Sequence, residues 1–215
     1  MDATRPASRT DALKGLYLLL DPSVRPDRPL TDVLKAAADQ GVRLFQYRDK
    51  RATMRDAYRQ AQALRRAAEE TGSLLIINDR CDLAIAVDAD GVHVGQDDLP
   101  VEQARKLVGP GKLVGLSTHN AEQVMAATSA APDYIGFGPI FSTSTKADHD
   151  PLVGINGLRQ ARELTTLPIF AIGGITLKTV PDLLAAGADG VAVVSAILAA
   201  PDLQDALRGF LTSLR

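Results

Sequence analysis

The stretch VRLFQYRDKRATMRDAYRQAQALRRAAEETGSLLIIND, residues 42 to 79, decides the fold. It opens on a short apolar run (VRLFQY, 42–47) and passes into a segment whose apolar residues recur three or four apart, as on an amphipathic helix. It then returns to a second short apolar run, LLII (74–77). Strand, helix, strand is the unit of a parallel sheet. The same alternation runs through the rest of the chain. Further apolar runs stand at LYLLL (16–20), GVHV (91–94), KLVGLS (112–117), YIGFG (134–138), PIFAI (168–172) and GVAVV (190–194). Helical patterns such as LTDVLKAAADQG, AEQVMAATSAA and LKTVPDLLAAGA lie between them. Gly41, Gly72 and Gly187 close three of these, as helix C-terminal glycines do. Eight strand candidates in regular alternation with helices predict an α/β protein, a single-domain (β/α)₈ TIM barrel at 15–215. At 215 residues the chain is short for that fold, and little room is left for a second domain. The first 14 residues, MDATRPASRTDALK, are polar and read as a flexible lead-in; they contain no apolar core of a signal peptide.

Composition supports a full core, with 46% hydrophobic residues. The 23% charged residues and net charge of −2 give no basic footprint for nucleic acid. No apolar run approaches the roughly 18 residues that a membrane span requires. The single cysteine, Cys81, excludes an internal disulfide. Cytoplasmic localisation and small-molecule substrates are expected. The sequence leaves oligomeric state open.

Barrels of this kind build their sites from the C-terminal ends of the strands. Those ends are polar here. In QYRDK, the residues Gln46, Arg48 and Lys50 share the parity of Val42 and Leu44, while Phe45 and Tyr47 take the face packed under helices. Three donors then converge on the barrel mouth and call for an anion. Alternatively, Arg48 and Lys50 pair with Asp49 or other loop carboxylates. The third strand ends in Asn78 and Asp79 and the fourth in Gln96, Asp97 and Asp98. Asp79 and Asp98, on neighbouring strands, can meet one cation. Hard oxygen ligands without His or Cys favour Mg²⁺, which takes its other positions from water and substrate phosphate. The competing roles are a helix cap for Asp79 and a cap or turn before Pro100 for Asp98.

A second phosphate seat is expected in the loops after strands seven and eight, at Gly173, Gly174 and Ile175 and at Val194, Ser195 and Ala196. Glycines there can equally serve backbone geometry alone. The longest polar connection, FSTSTKADHDPLVG (141–154), carries Thr143, Ser144, Thr145 and Lys146 and reads as a lid or as an ordinary surface loop.

Taken in order, QYRDK, IND, HVGQDD, GLSTH, GPIFSTSTK, AIGGI and VAVVSAI make the chain resemble the thiamine phosphate synthase family. The resemblance runs from the first strand to the last helix. It implies transfer of the hydroxymethylpyrimidine group from its diphosphate ester to the nitrogen of a thiazole phosphate, carboxylated or plain, giving thiamine monophosphate and diphosphate. It also implies that Gln46, Arg48, Lys50, Asn78, Ser117 and Lys146 bind the pyrimidine diphosphate. On the same basis Asp79 and Asp98 hold Mg²⁺, while Thr143, Ser144, Thr145, Gly174, Val194 and Ser195 take the thiazole phosphate. Arg48, Lys50, Ser117 and Lys146 would act in catalysis by stabilising the departing diphosphate, in a dissociative substitution through a pyrimidine cation. The family commonly has proline where this chain has Ser142.

The remaining candidates are plainer. Cys81 reads as a small packed residue, His93 as a satisfied core histidine and His149 as solvated in the loop. His119, two residues after Ser117, resembles the proton-transferring histidine of the paralogous thiazole tautomerases, an alternative function. Members of that family generally lack the full donor set and the second carboxylate. A catalytically silent sensor of thiamine precursors and a sugar phosphate epimerase have no motif in their favour.

Overall fold

The computed structural model describes residues 12–143 and 151–215. Eight parallel strands close into one barrel in sequential order, each hydrogen-bonded to the next and β8 to β1. They are β1 (Gly15–Leu20), β2 (Leu44–Tyr47), β3 (Leu74–Asn78), β4 (Gly91–Val94), β5 (Leu113–Thr118), β6 (Tyr134–Phe137), β7 (Ile169–Ile172) and β8 (Gly190–Val193). All eight expected strands are present.

The connecting helices are α1 (Leu30–Asp39), α2 (Met54–Glu70), α3 (Cys81–Ala86), α4 (Val101–Val108), α5 (Ala121–Ala130), α6 (Gly154–Leu164) and α7 (Val180–Ala185). After β8 come the short α8 (Ser195–Leu198) and α9 (Leu203–Ser213). Side-chain caps define several starts. Thr53 accepts the Asp56 N–H, Asn120 the Gln123 N–H and Asp202 the Asp205 N–H, each satisfying a donor that a helix leaves unpaired. Gly41, Gly72 and Gly187 follow α1, α2 and α7 with φ of 106°, 65° and 100°, as expected of C-terminal stops.

Alternation along each strand splits the core in two. One parity, including Phe45, Tyr47, Leu75 and Ile77, packs under the helices. The other fills the barrel with Tyr17, Leu19, Leu44, Leu74, Ile76, Leu113, Tyr134, Phe170 and Ala192. Tyr17, Tyr134 and Phe170 meet edge-on, their ring centroids 5.2 to 5.7 Å apart. Each such pair is worth about 0.5–1.5 kcal/mol beyond its burial. Ala12 and Leu13, within the expected lead-in, are buried and belong to this inner cluster. Residues 1–11 lie outside the described residues.

The opposite end of the barrel is tied by a repeated device. Asp90, Asp133 and Asp189 stand immediately before β4, β6 and β8. Their carboxylates accept the N–H of Leu75 (3.0 Å), Val114 (2.6 Å) and Ile169 (2.8 Å) near the starts of β3, β5 and β7. Each also pairs with an arginine from a helix: Arg65 of α2 at 3.2 Å, Arg105 of α4 at 2.5 Å and Arg162 of α6 at 3.0 Å. Before β2 the same position is Arg43, which donates to the carbonyls of Ala38 and Val42. These links bind helices to strands on the N-terminal face, leaving the C-terminal face for chemistry.

Candidate active site

The C-terminal ends of the strands enclose a cavity of about 590 Å³, within the range of small-molecule sites. Gln46, Arg48, Lys50, Asn78, Asp79, Asp98, Ser117, Thr143, Gly174, Val194 and Ser195 all line it. Ser144, Thr145 and Lys146, also expected in the site, lie outside the described residues, as does His149. Every other candidate is brought to one mouth.

β2 delivers Gln46 and, just beyond its end, Arg48. Gln46 is buried at 3% exposure inside the barrel, as the parity predicts. Arg48 Nη1 donates to Asp21 Oδ2 at 2.6 Å; Asp21 follows β1 and is itself buried. The Asp21 Oδ1 accepts both the backbone N–H and the hydroxyl of Ser23, so the carboxylate is fixed before it fixes Arg48. Lys50 pairs with Asp79. Both cations thus pair with carboxylates beyond strand ends, as the alternative reading allowed, though not with Asp49, which accepts the N–H groups of Arg51 and Ala52 in its own turn.

Asp79 sits at φ 60°, the left-handed region that non-glycine residues seldom occupy. It does not cap α3, whose N-cap is Arg80 and has no side-chain capping bond. Burial pushes the Asp79 carboxyl above the usual carboxylate range, Lys50 opposes this, and Asp98, within hydrogen-bonding reach, adds to it. Two carboxyl groups held against each other in a half-closed site form a seat for positive charge, which Lys50 supplies from one side. Asp98 also serves its own turn, as one oxygen accepts the Gly95 N–H at 2.7 Å. The pair is all oxygen, and among the described residues no third acidic, histidine or cysteine side chain joins it in a group that could hold a metal ion. That donor set fits Mg²⁺, which binds through one or two carboxylates and completes its shell with water and phosphate oxygens.

Gly173 and Gly174 both have positive φ, 97° and 61°. A Cβ on the first would strike Pro139, and on the second the Ser142 carbonyl and Phe141. Backbone geometry therefore accounts for both glycines, and it presses the β7–α7 turn against the segment leading to Thr143. Ser195 opens α8 beside that turn.

Several participants were not singled out from the sequence. Asp21 orients Arg48, Gln96 Nε2 donates to the Ser117 carbonyl at 2.5 Å, and Gln123 Oε1 accepts the His119 N–H at 2.7 Å. His119 Nδ1 lies 2.6 Å from the Gly138 carbonyl. His93 is indeed a satisfied buried histidine, with one ring nitrogen on Tyr134 and the other on Ser117. Inward parity on β4, β5 and β6, applied as it was on β2, would have picked out His93, Ser117 and Tyr134 together. Cys81 is buried, and burial raises its thiol pKa.

A closed parallel barrel with a carboxylate pair and cationic donors at its C-terminal mouth defines a class: a (β/α)₈ enzyme for an anionic small molecule. A family model described as thiamine monophosphate synthase matches residues 16–197. The thiamine-phosphate synthase of Chloroflexus aurantiacus is 47% identical over 193 residues, which cover 90% of this chain and 89% of that protein. That of a Synechococcus strain is 45% identical over 214 residues and 100% of this chain, which spans 60% of the relative's length. Among solved structures, a thiamine phosphate pyrophosphorylase from Pyrococcus furiosus superposes with a TM-score of 0.85 at 33% identity, over 95% of this chain and 96% of that one. The chain belongs to the thiamine monophosphate synthase family, whose enzymes are transferases that form a C–N bond with release of diphosphate. Among the described residues, no helix is long and apolar enough to cross a membrane.

Proposed function

We propose that this chain is a thiamine phosphate synthase of the cytoplasm. It joins the pyrimidine methyl diphosphate to a thiazole phosphate, plain or carboxylated, and yields thiamine monophosphate and diphosphate. The observation that carries this is the meeting of Lys50, Asp79, Asp98, Arg48 and Ser117 around one cavity. A carboxylate pair beside three donors suits a diphosphate bridged to a divalent cation, and it suits little else.

In the reaction the bond between the pyrimidine methylene carbon and the diphosphate oxygen breaks, and both electrons leave with the diphosphate. The thiazole nitrogen then gives its lone pair to that carbon. No proton has to be removed from the nucleophile, so the protein's work is positioning and charge stabilisation. Arg48, braced by Asp21, presents a fixed guanidinium. Lys50 is 56% exposed on a flexible stem and can leave Asp79 for a diphosphate oxygen. Asp79 and Asp98 would hold Mg²⁺, which when bound supplies Lewis-acid stabilisation of the leaving group. Ser117 adds a hydroxyl to the same anion, and we assign Asn78 and Gln46 to the pyrimidine side. Thr143, Gly174, Val194 and Ser195 lie across the cavity and would receive the thiazole phosphate. Ser144 and Thr145, which follow Thr143 in sequence, we assign to the same phosphate, and Lys146 to the diphosphate.

The test mixes purified protein with both substrates, in Mg²⁺ or in EDTA, and follows thiamine monophosphate by mass. Magnesium-dependent product is expected. Isomerisation of the thiazole alone would favour the tautomerase, and saturable binding without turnover would favour a sensor.

A further inference from the structure

Beneath the cavity, polar side chains from five strands form one buried chain. Gln46 Nε2 on β2 donates to the Tyr17 hydroxyl on β1 at 2.6 Å. The Tyr17 and Tyr134 hydroxyls are 2.8 Å apart. Tyr134 Oη on β6 lies 3.2 Å from His93 Nδ1 on β4, and His93 Nε2 lies 3.0 Å from Ser117 Oγ on β5. Glycines clear its path. A Cβ on Gly115 would fall on the Tyr134 ring and the His93 imidazole, and one on Gly136 would stand 3.4 Å from His93 Cε1. Only the two ends, Gln46 and Ser117, carry family roles; the middle has none.

The middle groups each have one proton to give. Both phenols are buried, and His93, also buried, meets only hydroxyls at its two ring nitrogens, so burial favours the neutral form of all three. A neutral imidazole donates at one nitrogen and accepts at the other. Every link is then satisfied only when the protons all point the same way, because a hydroxyl that accepts from both neighbours leaves its own buried proton without a partner in the chain. Since Gln46 donates to Tyr17, Tyr17 gives its proton to Tyr134, Tyr134 gives its own to Nδ1, and Nε2–H is left to donate to Ser117. The Ser117 proton is then directed into the cavity, and Gln46, with Nε2 held on Tyr17, keeps its carbonyl oxygen and one N–H for the cavity.

We propose that Tyr17, Tyr134 and His93 are positioning residues that fix Ser117 as a hydrogen-bond donor to the leaving diphosphate and Gln46 as an acceptor for the amino group of the pyrimidine. This inference rests on the proposed function for the identity of the two ligands, though the direction of the chain does not.

Two measurements test it. In ¹⁵N-labelled ligand-free protein, His93 is expected as the Nε2–H tautomer, its signals assigned by their loss in His93→Gln; the Nδ1–H tautomer would overturn the direction. Tyr134 does not line the cavity. Tyr134→Phe should lower kcat about ten-fold, the effect of one hydrogen bond to a charged group, with KM changed by less than about two-fold. Combined with Ser117→Ala it should cost nothing further, because both act through one hydroxyl. Additive losses would mean that Tyr134 only packs and would overturn the proposal. Absence of product from the wild-type protein would instead sink the functional assignment, while the tautomer would still decide the direction.

Discussion

Replacing Asp98 by asparagine separates the metal role of the carboxylate pair from its structural one. Asparagine keeps the shape, and its Oδ1 can still accept the Gly95 N–H that Asp98 now holds at 2.7 Å. The charge is what disappears. Two unit charges about 4 Å apart interact by about 4 kcal/mol at an effective dielectric near 20. Asp79 is 17% exposed and the pair lines an open cavity, so about half of that, ~2 kcal/mol, is a fair repulsion in metal-free protein. Its relief lets Asp98→Asn melt at the same or a higher temperature in EDTA. With Mg²⁺ the sign reverses, because a dication attracts each carboxylate more strongly than the two repel. Losing one ligand should cost about 3 kcal/mol of transition-state stabilisation, on the order of 10²-fold in kcat/KM, and raise the Mg²⁺ needed for half-maximal rate. Initial rates against Mg²⁺, paired with melts in EDTA, measure both effects. An unchanged Mg²⁺ titration with unchanged kcat/KM would remove Asp98 from the metal site.

Other expectations follow from the fold and the site. Asp21→Asn should leave Arg48 in place but loosely held, cutting kcat/KM about ten-fold while the melting temperature moves little; an equal fall in both would make Asp21 merely structural. Asp90 is fully buried against Arg65 and the Leu75 N–H, so Asp90→Ala should destabilise the barrel by about 3–5 kcal/mol in urea titration, and a loss under ~1 kcal/mol would refute the tie. His93, held neutral by burial with its pKa lowered to about 4, contributes stability that is complete above its unfolded value near 6.5 and is lost as pH falls through about 4. The loss amounts to about 3 kcal/mol, and His93→Gln should flatten the stability curve over that interval. A curve of unchanged slope would show that His93 does not remain neutral.

The strands were legible because each is a short apolar run, and their order because each helix pattern intervenes once. β2 shows how far spacing reaches: parity put Gln46 inside and Phe45 and Tyr47 outside, and that is where they are. Asp79 directly follows β3, as its expected strand end implies, whereas β4 stops at Val94 and Asp98 lies in the turn beyond it rather than at a strand end. What the sequence did not convey was who meets whom across the barrel. Asp21 meets Arg48, Lys50 meets Asp79, and Tyr17 reaches Tyr134 over 117 residues because strand stagger and closure bring β1 and β6 face to face. Local periodicity carries no record of stagger. The same holds for Asp90, Asp133 and Asp189, which look like loop aspartates until the closed barrel aligns each with an arginine and a neighbouring strand. Glycines were ambiguous for a related reason. Gly174 suits a phosphate seat and also the close approach of Ser142, and only the fold reveals the second demand.

The central claim is that Asp79 and Asp98 jointly hold the divalent cation that meets the substrate diphosphate. Crystals grown with Mn²⁺ and the pyrimidine diphosphate, with anomalous data collected at the manganese edge, test it most directly. A peak bonded to both carboxylates and to diphosphate oxygens is the predicted result. A peak elsewhere, or diphosphate bound at Arg48 and Ser117 with no metal at the pair, would contradict it.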